Sequence, residues 1–152
     1  MNTPSSNALK YVLVGVDGSS NSIKAVRAAI QQAAWRGIAV HAVSAWTYPA
    51  MYGMEGAAYS IEPSTLEASA LAVLEDALAG ACPDPTERAS IKRFARGGSP
   101  SEVLIEESKN AELLVVGARG HGGFLGLLLG SVASQVVKHS HCPVLVLPPD
   151  NG

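Results

Sequence analysis

Two stretches of this 152-residue chain carry residue types and spacings suited to holding a phosphate. The first is Gly117-Ala118-Arg119-Gly120, followed by nine residues and then Gly130-Ser131. It comes after the apolar run Leu113-Leu114-Val115-Val116 and opens onto a short helical pattern, where backbone N–H groups can converge on an anion. Glycines at 117 and 120 let the main chain turn sharply and approach a ligand closely, because neither carries a Cβ. Ser131 is expected to cap the next helix, leaving the N–H groups of Val132 and Ala133 directed at the anion. Inside the loop Arg119 and His121 can neutralise phosphate charge, and Arg119 is the better suited because its guanidinium is always charged and binds phosphate through two hydrogen bonds. The second stretch is Asp17-Gly18-Ser19-Ser20. There Asp17 can accept a ribose hydroxyl or hold one face of a magnesium ion, which takes one or two carboxylates and the substrate phosphates. The same aspartate also suits an Asx turn or a cap for the helix that follows.

Other phosphate chemistries are excluded by what is missing. No Gly-x4-Gly-Lys-Ser/Thr sequence exists, so the lysine and metal-binding hydroxyl of a Walker loop are absent. Gly15-Val16-Asp17-Gly18-Ser19 is not the Gly-x-Gly-x-x-Gly dinucleotide fingerprint. His139 and His141 are spaced like metal ligands but have no third ligand near them in sequence, and a helix C-terminus accounts for His139. Cys82 and Cys142 form no CxxC pair and read as small buried hydrophobes. Ser19, Ser20 and Ser131 have no identifiable His–Asp partners, and no acid–base pair near the glycine loop is arranged to activate water. No catalytic residue is assigned; any hydrolysis of a bound ligand should be slow.

The elements that must position these residues alternate strand and helix, which implies a parallel sheet with helices on both faces. Tyr11-Val12-Leu13-Val14-Gly15-Val16 reads as a central first strand, apolar on both faces. Ile23, Val26, Ile30 and Ala33 recur at helical spacing until Gly37, and Ile38 to Ala45 gives a second strand. A helix from Leu66 stops at Cys82-Pro83. Ala89 to Arg96, with Lys92, Arg93 and Arg96, reads as a charged edge strand. Ser99, Pro100 and Glu102 form the cap, first position and capping-box partner of another helix, so Glu102 is structural. Leu113 to Val116 is strand four, Ser131 to about His139 a helix, and Pro143 to Leu147 strand five. Ligands of such sheets bind at the strands' carboxyl ends where the order reverses, so Asp17 and the glycine loop, about one hundred residues apart in sequence, should meet there.

At 47% hydrophobic residues the chain is expected to fold as one domain over 10–149, with 1–9 a disordered or extended segment. A net charge of −2 gives no long-range attraction to nucleic acid or to an anionic membrane. No signal-peptide pattern or membrane span is present, so a cytoplasmic location is expected. The segment 47–64 holds three of the four tyrosines with Met51 and Met54, a composition suited either to covering a ligand or meeting a protein partner, or simply to tacking the crossover onto the domain. Val144-Leu145-Val146-Leu147 lacks charge, glycine and proline, so as an edge strand it needs a cover; the same strand of a second copy supplies one, predicting a homodimer.

The glycine spacing, together with Val14-Gly15-Val16-Asp17-Gly18-Ser19, Val40-His41-Ala42-Val43, Gly98-Ser99-Pro100 and His141-Cys142-Pro143-Val144-Leu145-Val146, resembles the universal stress protein family, in its ATP-binding branch. The resemblance covers nearly the whole chain. It implies a single-domain α/β fold, a five-stranded parallel sheet in a three-layer sandwich of the adenine nucleotide alpha hydrolase-like or flavodoxin-like kind. The strand order expected for such a fold is 2-1-3-4-5. By the same resemblance Val16 and Asp17 would line the adenosine side, Ala42 would approach adenine through its main chain, and Gly117, Gly120, Gly130, Ser131 and Val132 would surround the phosphates. Ala133 stands where some relatives carry Ser or Thr, which removes a hydroxyl and leaves the backbone N–H. The implied function is a stress-response sensor or regulator binding ATP with magnesium. The alternatives are slow ATP hydrolysis or phosphoryl or nucleotidyl transfer in the same crevice, or an interaction protein with a vestigial site. Dimerisation through the last strand is implied as well.

Overall fold

The computed structural model describes residues 10–48, 61–120 and 128–150. Five strands, β1 (Tyr11–Gly15), β2 (Ala39–Trp46), β3 (Lys92–Gly97), β4 (Leu113–Gly117) and β5 (Val144–Leu147), form one sheet in the order β3-β2-β1-β4-β5. Every neighbouring pair is parallel. The chain thus steps outward from β1 to β3 on one side, then crosses back to lay β4 and β5 on the other. This corrects the expected order 2-1-3-4-5, which would have put β3 inside the sheet. Charge decides the matter. Lys92, Arg93 and Arg96 are better solvated at an edge, where Arg93 pairs with Glu75 and Arg96 with Glu107 at 3.2 Å. The wholly apolar β4 takes the central place beside β1.

Helices cover both faces. On one, α1 (Ser20–Arg36) and α2 (Pro63–Ala81) pack Val26, Ala29, Leu74 and Leu78 onto Val12, Val14 and Ala42. On the other, α4 (Pro100–Glu107) and α5 (Ser131–His139) pack Val103, Leu104, Ala133 and Val136 onto Leu13, Val43, Leu114 and Val116. Between α2 and β3 lies a short helix that the periodicity does not show, α3 (Pro85–Ala89), whose Asp84 cap accepts the Thr86 N–H at 3.0 Å. A 3-10 turn, Ser108–Asn110, follows α4.

Local chemistry sets the ends of these elements. The Ser19 hydroxyl accepts the Ser22 N–H at 3.2 Å to open α1, and Gly37, at φ 67°, closes it in the left-handed conformation that favours glycine. Pro63 and Pro100 occupy first-turn positions of α2 and α4, where their missing N–H costs nothing. Ser99 caps α4 by accepting the Glu102 N–H at 3.4 Å. Cys82 is buried as expected, whereas Cys142 is half-buried, with burial pushing its thiol pKa up. Among the described residues no helix is long and apolar enough to cross a membrane. Of the segment 47–64, residues 49–60 lie outside the described residues, as do 1–9 and the loop positions His121, Gly122, Gly123 and Gly126.

Candidate functional site

The reversal of strand order falls between β1 and β4, and there, at the carboxyl ends of the strands, opens a cavity of about 820 Å³. That volume is typical of a small-molecule site. Its floor is Gly15 of β1, Val16 and Asp17 just after it, and Val116 and Gly117 of β4. One wall is the end of β2, from Val43 to Thr47, with Leu66, Ala70 and Val73 of α2; Val103 and Leu104 of α4 close the other side. The far end is polar and built from main chain: Arg119, Gly120, Gly130 and the first turn of α5. The cavity therefore has an apolar part and an end suited to an anion.

Nine of the ten residues singled out from sequence line this cavity: Val16, Asp17, Gly117, Arg119, Gly120, Gly130, Ser131, Val132 and Ala133. Ala42 does not. It faces α1 and α2, fully buried in the core, because alternation along β2 turns its side chain away from the layer to which Val43 belongs. Ser131 is not the cap of α5; Gly130 holds that position, and no side chain caps the helix. The first intrahelical bond runs from the Ser134 N–H to the Gly130 carbonyl at 2.9 Å. The amides of Ser131, Val132 and Ala133 thus precede that bond, on residues that all line the cavity.

Gly117 and Gly120 are required for space rather than for unusual backbone angles: among the described residues only Gly18, Gly37 and Gly98 have positive φ. A Cβ on Gly120 would stand 2.4 Å from Asp17 Oδ2. The other Asp17 oxygen, Oδ1, accepts the Ser19 N–H at 2.9 Å, so this aspartate makes the Asx turn while facing the glycine loop. Gly130 is pinned to the start of the loop, its N–H donating to the Ala118 carbonyl at 2.7 Å. The two ends of the 118–130 segment therefore meet beside the carboxylate of Asp17.

Several residues here escaped the sequence reading. Asn21 is buried, and its amide contacts both the loop and the end of β5. The only hint was a polar residue within the Ser19-Ser20-Asn21-Ser22 run, indistinguishable from ordinary helix-start chemistry. Trp46 forms part of the wall, edge-on to Tyr48 at 6.3 Å. Its indole N–H is buried and has no acceptor among the described residues. Away from the cavity, the pKa of two further groups is shifted. Burial raises that of Tyr11, whose hydroxyl donates to the Glu107 carbonyl at 2.7 Å. Burial and then Lys92 lower that of His41. Among the described residues no group of three or more His, Cys, Asp or Glu could hold a metal ion. Asp17 would hold magnesium only together with oxygens from a ligand.

A doubly wound α/β protein with its ligand crevice at the strand-order reversal is the class that this fold and site define. Within it the chain belongs to the universal stress protein family, whose model matches residues 9–148. A universal stress protein of Mycolicibacterium smegmatis (strain ATCC 700084 / mc(2)155) is 36% identical over 141 residues, covering 91% of this chain and 45% of the relative. The chain spans about half the length of the curated relatives it matches. Among solved structures, universal stress protein UspA from Lactobacillus plantarum shares the fold with a TM-score of 0.73 at 21% identity, covering 91% of this chain and 97% of that one. A universal stress protein in complex with cAMP is 30% identical with a TM-score of 0.61, covering 91% of this chain and 95% of that one.

Proposed function

We propose that this chain binds an adenine nucleotide, ATP with magnesium, in the cavity between β1 and β4, and acts as a cytoplasmic sensor or regulator in stress response. The observation that carries the reading is the meeting of the Asp17 carboxylate, Gly120 and the first-turn amides of α5 at one end of a mainly apolar cavity. Base and ribose fit the apolar part, between the end of β2 and α2. Phosphates fit the main-chain end, where free amides and the positive end of the helix dipole favour an anion. Asp17, beside the loop, is placed to share a magnesium ion with the phosphates, because magnesium takes one or two carboxylates together with substrate oxygens. The relative solved with cAMP supports a nucleotide in this family's fold; the absence of Cβ atoms at Gly120 and Gly130 gives room for a chain of phosphates.

The same reading extends to assembly. β5 is an apolar edge strand, half-buried along its length, and among the described residues it pairs with β4 alone. Pairing with β5 of a second copy across a two-fold axis would cover it, and Pro148-Pro149 would limit the paired length.

Trp46 supplies the test of nucleotide binding. In nucleotide-stripped protein, ATP with magnesium should change the fluorescence of Trp46 at saturable stoichiometry, and Trp46→Phe should remove the change. Trp35, 69% exposed, leaves a constant background. Mass spectrometry of nucleotide released on denaturing the purified protein would identify the natural ligand. A stripped protein that gives neither a fluorescence nor a calorimetric response to millimolar ATP with magnesium would overturn the proposal.

A further inference from the structure

We infer that Asn21 is the positioning residue of the glycine loop, holding its start in register with the end of β5; the inference rests on the nucleotide reading above. Asn21 is the second residue of α1 and is 6% exposed. Its Oδ1 accepts the Arg119 N–H at 2.8 Å. Its Nδ2 donates to the carbonyls of Leu147 at 3.1 Å and Pro148 at 3.3 Å. The Leu147 carbonyl in turn accepts the Ala118 N–H at 2.8 Å. One side chain thus closes a ring of hydrogen bonds between the loop, α1 and the last strand. One turn along α1, Lys24 adds a donor to the Pro148 carbonyl at 2.7 Å and an ion pair with Asp150 at 3.2 Å.

The carboxamide is the group this place demands. It offers an acceptor and two donors in one plane; a carboxylate of the same shape lacks the donors, and a leucine lacks both. The orientation of the amide follows from its partners, an N–H on one side and two carbonyls on the other. Gly117 answers to the same residue: a Cβ there would lie 2.7 Å from Asn21 Cγ and Oδ1. The first glycine of the loop signature is therefore small because Asn21 is packed against it. Ala118, Arg119 and Gly120 line the cavity whereas Asn21 does not, so Asn21 acts on a ligand through the main chain of the loop.

The test compares ATP–magnesium affinity by calorimetry in the wild type, Asn21→Leu and Asn21→Asp, at a neutral and a mildly acid pH, each value referred to the wild type at that pH. Asn21→Leu should weaken binding about tenfold at both. Asn21→Asp should match that loss at neutral pH, where its carboxylate faces two carbonyl oxygens without a proton. It should recover in acid, because the protonated carboxyl can donate again. A residue that merely stabilised the fold would lower the melting temperature without this recovery. Hydrogen exchange at the Arg119 amide should quicken in Asn21→Leu. If that variant does not fold, Gly117→Ala disturbs the same group from the other side, and should cost affinity in the wild type but nothing further in Asn21→Ala. Folded Asn21 variants with wild-type affinity and unchanged Arg119 exchange would overturn the inference alone. A wild type that does not bind nucleotide would overturn the reading on which it rests.

Discussion

Gly120 and Asp17 limit one another at the site. With 2.4 Å between the place of a Cβ and Oδ2, even alanine at 120 must swing the Asp17 carboxylate off its present line. Because Oδ1 is engaged by the Ser19 amide, that swing also loosens the turn before α1. Gly120→Ala should therefore weaken ATP–magnesium binding about tenfold, the loss of about one good polar contact, with a nearly unchanged melting temperature. Gly130→Ala should be mild, since the nearest atom to its Cβ, the Ala118 carbonyl oxygen, is at an ordinary 3.4 Å. Calorimetry on the two variants checks the order, and equal affinities would remove Gly120 from the site. Ser131→Ala should shift stability by less than about 0.5 kcal/mol, because the hydroxyl caps nothing. Away from the cavity, His41 stacks on Tyr11 at 3.8 Å. Burial and then Lys92 lower its pKa. The unfolded chain takes up that proton near pH 6.5 and the folded chain only at lower pH, so His41's contribution is complete above about 6.5 and is lost as pH falls through the folded value. The melting temperature of the wild type should decline more steeply below pH 6.5 than that of His41→Phe, which keeps a ring on Tyr11 but cannot titrate; parallel curves would exclude His41 as the cause.

Among the elements, the two edge strands are opposite in character. β3 carries its own protection in Lys92, Arg93 and Arg96, whereas β5 offers four apolar residues and a side unpaired among the described residues. Edge-to-edge pairing between copies is accordingly expected at β5. Light scattering on a sizing column should give twice the 15.7 kDa chain mass. Val146→Pro removes one N–H from the strand and should return the mass toward a single chain. A wild type that stays monomeric at tens of micromolar would mean that something other than a second β5 covers the edge.

For the molecule as a whole, binding in a cavity that exists only when β1, β2, β4, α2, α4 and α5 are assembled must stabilise the assembly. At about 100 times the dissociation constant the linkage is worth about 2.7 kcal/mol. In a chain of this size each kcal/mol moves the midpoint by about 2–4 °C. ATP with magnesium should thus raise the melting temperature by several degrees, and the rise should shrink when magnesium is chelated, since Asp17 and the phosphates then lose the cation they would share. An identical midpoint in both conditions would argue against a metal held at Asp17.

The sequence by itself determined the five strands, four of the helices, the family and most of the cavity floor, because these follow from short-range patterns: apolar runs for buried parallel strands, helical spacing, caps, and a glycine cluster after a strand. It also marked β3 as an edge through its charges. Tertiary structure decided the rest of the strand order, since which interior neighbour a strand pairs with depends on contacts between distant segments. Ala42 shows the same limit at finer grain: the alternation along β2 was legible, but the face turned to the helices α1 and α2 was fixed only by what packed there. The start of α5 at Gly130 rather than Ser131 shifted the cap by one residue, a difference that periodicity does not resolve. Asn21 was the least visible of all. Its meaning lies in three hydrogen bonds to residues about one hundred or more positions away, and no spacing within the chain announces a side chain whose partners are brought to it only by the fold.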